Sequence, residues 1–135
     1  MKVILDTNVL IAAFAARGLC SALFELCLDR FQLVLSEAIL KETAEHLKGK
    51  IKLPEANCGL VDAYLRSVCQ VSEIDPVDPA ACRDPKDLHV LGLAQRLSAG
   101  FIVTGDKDLL DLVQYKGTRI VTPREFWTTV KDEKR

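Results

Sequence analysis

Val3-Ile4-Leu5-Asp6-Thr7-Asn8, close to the N-terminus, is the stretch from which the fold can be read. An apolar triplet runs directly into a carboxylate, a hydroxyl and an amide, and no polar residue interrupts it. Such a run is typical of a buried strand in a parallel sheet. Because ligand sites in open α/β sheets lie beyond the carboxyl ends of the strands, we expect Asp6 at that edge.

Further strands and helices alternate along the rest of the chain. The other predicted strands are 32–35, 68–71, 101–104 and 119–121. The predicted helices are 9–16, 19–29, 36–48, 54–66, 84–98, 109–113 and 126–130. This alternation predicts right-handed crossovers, and hence an α/β fold of three layers with a mostly parallel, five-stranded sheet.

Several residues predict where helices begin and end. Ser36 and Asp84 stand where N-caps belong, with Pro85 at the first helical position. Gly100 is the expected C-terminal break of the helix that Asp84 opens. Thr122-Pro123-Arg124-Glu125 predicts a capping box before the last helix.

Size and composition predict one water-soluble domain. The 135 residues are 49% hydrophobic and 27% charged, and we expect the domain to span 1–130, followed by a charged tail at 131–135. No apolar run reaches the roughly 18 residues that span a bilayer, and the N-terminus lacks signal-peptide features. We therefore expect a cytoplasmic protein with no membrane partner.

The charge and the cysteines exclude some classes of function. A net charge of −1 argues against a protein that holds nucleic acid by bulk electrostatics, but not against a nuclease whose metal ions contact the phosphate. Five cysteines at irregular spacing, with no C-x-x-C, indicate neither a disulfide framework nor a zinc site. We expect reduced thiols.

Four acids carry the candidate chemistry, and each also has a structural explanation. Asp6 and Asp106 follow predicted strands but can cap the helices after them. Asp87, at the third position of its helix, is favoured there by the helix dipole. Glu42 can lie on a solvated helix face. His89, two residues past Asp87, is predicted to point to another side of the helix as a surface or rim residue.

Taken together, the acids indicate a divalent cation. Two like charges about 4 Å apart repel by about 4 kcal/mol at an effective dielectric of 20, so carboxylates that converge need protons or a cation between them. Oxygen-only ligands suit Mg²⁺ or Mn²⁺, whose usual chemistry in such a site is phosphoryl transfer. No Ser/His/Asp, Cys/His or glycine-rich nucleotide signature competes with this interpretation.

At these residues the chain resembles the PIN domain family, small metal-dependent ribonucleases common among toxins of bacterial and archaeal toxin–antitoxin systems. The resemblance covers nearly the whole chain. It is carried by the opening stretch through Leu10, by Leu35-Ser36 with Glu42 six residues past the serine, by Arg83-Asp84-Pro85-Lys86-Asp87, and by the run from Ile102 to Leu110 that contains Thr104-Gly105-Asp106-Lys107-Asp108.

The resemblance implies roles for particular residues. Asp6, Glu42, Asp87 and Asp106 match the family's acidic quartet, which is both catalytic and metal-binding. The supporting or substrate-binding positions are Asn8, Thr104, Lys107 and the auxiliary acid Asp108. One departure is that Leu88, followed by His89, stands where the family subgroup often has a further acid. In the family the strand order is 3-2-1-4-5, which makes the strands before Asp6 and Asp106 neighbours.

The resemblance thus implies a Mg²⁺- or Mn²⁺-dependent endoribonuclease, the toxin of a toxin–antitoxin system. Its expected partners are RNA, a cognate antitoxin and a second copy in a homodimer. The alternative is a PIN-like scaffold that binds RNA or an antitoxin without catalysis. A haloacid-dehalogenase-type phosphatase needs a second acid where Asn8 stands, and a receiver domain needs an aspartate after the third strand; the chain has neither.

Overall fold

A computed structural model describes residues 1–131. The predicted charged tail, apart from Lys131, lies outside the described residues. The strands are β1 (Lys2–Leu5), β2 (Gln32–Leu35), β3 (Gln70–Val71), β4 (Phe101–Val103), β5 (Gln114–Tyr115) and β6 (Thr118–Val121). The helices are α1 (Thr7–Ala15), α2 (Leu19–Arg30), α3 (Glu37–Gly49), α4 (Glu55–Val68), α5 (Leu88–Leu97), α6 (Lys107–Leu110) and α7 (Pro123–Val130). Short 3₁₀ turns occupy Pro79–Ala81 and Pro85–Asp87.

The sheet has the order β3-β2-β1-β4-β6-β5. Its first five strands are parallel, and they reproduce the predicted order because β6 is the strand predicted at 119–121. The prediction of five strands is wrong, since a sixth strand, β5, pairs antiparallel with β6 at the edge. The central pairing, β1 with β4, matches Leu5 with Val103 and so brings two distant strand ends side by side.

The extra strand forms through a tight hairpin. Lys116 and Gly117, the two residues between β5 and β6, both have positive φ, at 47° and 88°. Positive φ at both central residues is the geometry of a type I′ turn, whose twist matches that of paired antiparallel strands. β5 therefore pairs antiparallel with β6 through this turn. The strand was not predicted because its two residues, Gln114 and Tyr115, are too short a run to show a strand pattern.

The helices lie on the two faces of the sheet. Crossovers from β1 to β2 and from β2 to β3 run in one direction, whereas the crossover through α5 from β3 to β4 runs in the opposite direction. Right-handed crossovers in opposite directions lie on opposite faces, which gives the predicted three layers. The central strands are buried on both faces: Val3, Ile4, Leu5, Ile102 and Val103 are completely inaccessible.

Two of the four predicted helix ends are confirmed, and two differ from the prediction. Ser36 Oγ accepts a hydrogen bond from the Ile39 N–H, and Thr122 and Glu125 form the capping box. Asp84 caps the 3₁₀ turn Pro85–Asp87, so α5 begins only at Leu88. The left-handed residue at the end of α5 is Ser98 rather than Gly100. Gly100 instead leaves room for the Met1 side chain, since a Cβ there would lie 2.6 Å from Met1 Sδ.

All five cysteines are free thiols. Within residues 1–131 no single helix is long and apolar enough to cross a bilayer, and only α1 and α2 taken together, bent by 106° at their break, have the length and composition.

Candidate active site

The acids predicted from the sequence come from four segments of the chain. Asp6 follows β1, Asp106 follows β4, Asp87 precedes α5, and Glu42 lies within α3. Since β1 and β4 are parallel neighbours, Asp6 and Asp106 leave the sheet at the same edge. The negative charges of Asp6 and Asp106 both act on Asp87, and that of Glu42 acts on Asp6. The structure therefore brings the predicted quartet together.

Asp6 is the most firmly held of these acids. It is 7% exposed, and its Oδ1 accepts from the Thr7 N–H at 2.8 Å while its Oδ2 accepts from the Thr104 hydroxyl at 2.8 Å. Burial raises the pKa of Asp6, and the Glu42 charge adds to that effect, whereas the two hydrogen bonds oppose it. Asp6 caps α1 and also lies within the electrostatic influence of Glu42, so its role as a cap does not exclude a role as a metal ligand.

Thr104 joins the ends of two strands. Its buried hydroxyl donates to Asp6 and accepts the backbone N–H of Asp106 at 2.9 Å. Asp106 in turn caps α6, since its Oδ1 accepts the N–H of Asp108 at 3.0 Å. A single hydroxyl thus sets the separation between the segments that carry Asp6 and Asp106.

Asp87 is the acid in the most unfavourable surroundings. It is 9% exposed, and its Oδ2 is buried without a hydrogen-bond partner among the described residues. Burial, the close contact with Asp106, and the charges of Asp6 and Asp84 raise its pKa to about 8. Near neutral pH and without a cation, this carboxyl keeps its proton.

Glu42 is held on both carboxylate oxygens. The Thr7 hydroxyl donates to Oε1 at 2.8 Å, and His89 Nε2 lies 3.2 Å from Oε2. Because a carboxylate only accepts, Nε2 is the donor. The side chain of His89 is 16% exposed and contacts Glu42, whereas the sequence predicted a surface or rim residue. Thr7 and His89 are the two residues that sequence reasoning missed.

The four supporting residues predicted from the sequence have different surroundings. Thr104 contacts Asp6 as described, and Asp108 is close enough to Asp87 for their carboxylate oxygens to lie within 4.8 Å. Asn8 is exposed on the first turn of α1, and its side chain makes no hydrogen bond with the described residues. Lys107 is exposed beside Asp106.

Basic side chains flank the acids without neutralising them. Arg83, Lys86 and Lys107 are exposed, and within residues 1–131 none of them forms an ion pair. They are available to an anionic ligand that approaches the acids from solvent.

An open groove lies beyond the carboxyl ends of β2 and β3. It is lined by Ser36, Glu37, Ala38, Val71, Ser72, Glu73 and Ile74. None of the four acids lines this groove. Its two carboxylates are each paired with an arginine, Glu37 with Arg66 at 2.8 Å and Glu73 with Arg96 at 3.5 Å, so the groove does not gather unpaired acids as the site does.

Comparisons with known proteins identify a family and a similar fold. A family model described as PIN domain matches residues 2–108, a segment that contains all the acids discussed above. Among solved structures, a chain of VapBC2 from Rickettsia felis, crystallised bound to a DNA fragment from the promoter, matches with a TM-score of 0.63 and 12% identity. The match covers 89% of this chain and 97% of that chain. No curated protein matches the sequence.

Proposed function

The chain belongs to the PIN domain family, and on that premise we propose that it is a metal-dependent endoribonuclease, the toxin of a bacterial or archaeal toxin–antitoxin system. The observation that carries the proposal is the convergence of Asp6, Asp87 and Asp106 at one sheet edge, with Asp87 buried among like charges. Such an arrangement costs folding free energy unless a cation binds it, which is typical of a functional site.

The donor set fits Mg²⁺ or Mn²⁺. Asp6, Asp87 and Asp106 would hold the ion directly, because hard divalent cations prefer carboxylate oxygens and no cysteine or histidine replaces these acids. When bound, the ion supplies Lewis-acid activation of the scissile phosphate and lowers the pKa of water.

The chain's own side chains supply orientation and charge. Glu42, fixed by Thr7 and His89, would orient the attacking water or bind the ion through water. In-line attack then leaves a 5′-phosphate and a 3′-hydroxyl. Lys107, Lys86 and Arg83 would contact the RNA backbone, which compensates for the net charge of −1.

The proposed role implies partners and a location. We assign a cognate antitoxin that inserts a basic or aromatic side chain among the acids, a homodimer as the functional unit, and the cytoplasm as the compartment. The fold shared with a VapBC2 chain supports this choice of system.

The substitution Asp6→Asn tests the proposal. The amide keeps the size of the side chain and its capping bond, but it removes a charged ligand. We expect Mn²⁺-dependent cleavage of single-stranded RNA to fall by about 100-fold or more, since even residues that only orient metal ligands are worth about 10–100-fold. Asp111→Asn, at an exposed acid on the end of α6, is the matched control. Undiminished cleavage by Asp6→Asn contradicts the proposal.

A second candidate is a PIN-like scaffold that binds RNA or an antitoxin without catalysis. It is favoured by Leu88, which stands where a further acid is common in the family subgroup. Calorimetric titration with Mn²⁺ distinguishes the two. Binding below millimolar metal supports the nuclease, and no binding at millimolar metal supports the scaffold.

A further inference from the structure

An arginine that the proposed function does not use lies on the β6 side of the acids. Arg124 is exposed in the first turn of α7, and among residues 1–131 its side chain forms no ion pair. The family model ends at residue 108, so the family match does not extend to Arg124. Any role for this residue therefore depends on its place in the fold of this chain.

The pairing of β4 with β6 places Arg124 at the edge of the sheet that carries the acids. The two strands are parallel and match Val103 with Val121, and the Thr104 N–H donates to the Val121 carbonyl at 2.9 Å. Asp106 is the third residue after β4, and Arg124 is the third residue after β6. Because neighbouring strands lie about 4.8 Å apart, the two residues follow adjacent strand ends at the same edge.

The neighbouring acid, Glu125, does not neutralise Arg124. Its Oε1 accepts the Thr122 N–H at 2.8 Å, and its own N–H donates to the Thr122 hydroxyl at 3.1 Å. These two bonds form the capping box that begins α7, so the carboxylate is held against the backbone. The Arg124 guanidinium is left to an anionic ligand that approaches from solvent.

The two sides of the acidic centre differ in the positive charge that they offer. Beyond β2 and β3, the groove contains Glu37 and Glu73, each of which is paired with an arginine. Beyond β4 and β6, the exposed Lys107 and Arg124 form no ion pair in the described part of the chain. Of these two sides, the β6 side therefore has the free positive charge for a polyanion that reaches the acids.

We propose that an RNA strand bound at the acids continues over the first turn of α7, where the Arg124 guanidinium contacts a phosphate on that side of the scissile one. The inference rests on the proposed function in taking RNA as the ligand of the acids. A guanidinium is always charged and can bind a phosphate through two parallel hydrogen bonds. Contacts to phosphates position a strand without reading its bases, so Arg124 raises the affinity for RNA of any sequence.

Trp127 is a natural probe of this surface. It is the single tryptophan of the chain, it is half-buried, and it lies three residues after Arg124 in α7. Side chains three positions apart are neighbours on a helix surface. RNA that contacts Arg124 should therefore change the fluorescence of Trp127.

The test measures the binding of a fluorescently labelled, single-stranded oligouridylate to the full-length chain. Ca²⁺, a hard cation with looser coordination geometry than Mg²⁺, replaces Mn²⁺ so that binding is followed apart from cleavage. Fluorescence anisotropy at several salt concentrations gives the Kd and its salt dependence. The emission of Trp127 is recorded in a parallel titration with unlabelled RNA.

We expect Arg124→Gln to weaken RNA binding by about 3–10-fold, between the values of an exposed ion pair and of a hydrogen bond to a charged group. The slope of the logarithm of the binding constant against that of the salt concentration should become shallower by about 0.7, the value for one phosphate of a single strand. The change in Trp127 emission should be largely lost. Arg124→Lys keeps the charge and should keep the slope.

Arg17→Gln is the matched control, because it changes the net charge by the same amount. Arg17 is exposed beyond the end of α1, a helix that carries the chain about 13 Å away from the edge with the acids. Arg17 forms no ion pair with any residue from 1 to 131. This variant should bind RNA with the affinity and salt dependence of the unaltered chain, and circular dichroism melting checks that every variant folds.

Two results overturn the proposal: unchanged affinity and salt dependence in the folded Arg124→Gln variant, or RNA binding that leaves the emission of Trp127 unaltered. The proposed function fails separately. If the chain binds RNA through Arg124 but cleaves none with Mn²⁺, the nuclease assignment falls and the RNA surface on α7 stands. If the chain cleaves RNA and Arg124→Gln binds it normally, the nuclease assignment stands and the path over α7 falls.

Discussion

Thr104, which donates a hydrogen bond to Asp6, could be predicted as a site residue from the sequence, whereas His89, which donates to Glu42, could not. Thr104 stands just after a strand and two residues before Asp106, so a family resemblance finds it. His89 reaches Glu42 across 47 positions of the chain, and that meeting depends on how α5 is rotated relative to α3. Periodicity gives the face of a single helix but not the angle between two helices, which is why His89 was predicted to lie at the rim.

Replacement of His89 should lower activity through Glu42. In His89→Ala, Oε2 loses its donor, and we expect kcat for RNA cleavage to fall about 10–100-fold, as for other residues that orient metal-site carboxylates. KM for RNA should change little. His89→Gln, whose amide can donate to Glu42, should recover much of the loss. Equal losses in the two variants would indicate a different role for the ring.

The raised pKa of Asp87 should make stability depend on pH. The pKa of Asp87 is about 8 in the folded chain against an ordinary value of 3.8, so the folded state keeps a proton that the unfolded state loses as pH rises from about 4 to 8. The free energy of unfolding of the metal-free protein should therefore fall over this range, by at most about 1.4 kcal/mol per pH unit from this group.

Asp87→Asn should reduce that slope. The variant should match the unaltered chain near pH 4, where both side chains are neutral, and exceed its melting temperature at pH 8. Urea denaturation at several pH values in the presence of a chelator measures the effect. A slope unaffected by the substitution would contradict the assigned pKa.

At the scale of the element, two helical glycines should respond oppositely to alanine. A Cβ on Gly92 of α5 would collide with the backbone oxygen of Asp75, whereas one on Gly59 of α4 would have nothing within 4 Å. We expect Gly92→Ala to destabilise by about 1–3 kcal/mol through overpacking, and Gly59→Ala to stabilise by about 0.5–1 kcal/mol through helix propensity. Chemical denaturation measures both, and a stabilised Gly92→Ala would show that the loop at Asp75 yields freely.

Elements with strong local signals were predictable, and those set by a partner were not. β2 was predicted with its observed bounds because Leu33-Val34-Leu35 is an uninterrupted apolar run and is followed by the helix cap Ser36. β3 was predicted at 68–71 but spans only Gln70–Val71, because Val68 remains in α4. β5 exists through its pairing with β6, which a two-residue run cannot reveal.

At the scale of the whole molecule, the parallel direction of the strands followed from the alternation of strands and helices, and their order followed from the family resemblance. That order makes β1 and β4 neighbours, so the proximity of Asp6 and Asp106 could be predicted although they are 100 residues apart in the sequence. The side-chain contacts within the site were not, because they depend on packing angles between helices.

A bound cation should stabilise the whole chain. A ligand that binds only the folded state at 100 times its dissociation constant adds about 2.7 kcal/mol, which for a chain of this size raises the melting temperature by about 5–10 °C. We expect Mn²⁺ to produce this shift, a chelator to reverse it, and Asp87→Asn to abolish most of it. Equal shifts in that variant would place the ion elsewhere.

The hydrogen bond from Thr104 to Asp6 joins residues 98 positions apart, and it has a consequence for how the protein is made. Synthesis proceeds from the N-terminus, so the ribosome has released Asp6 long before β4 exists to pair with β1. A partly translated chain therefore has no completed acidic centre. If the chain cleaves RNA, it acquires that activity only after translation has passed β4.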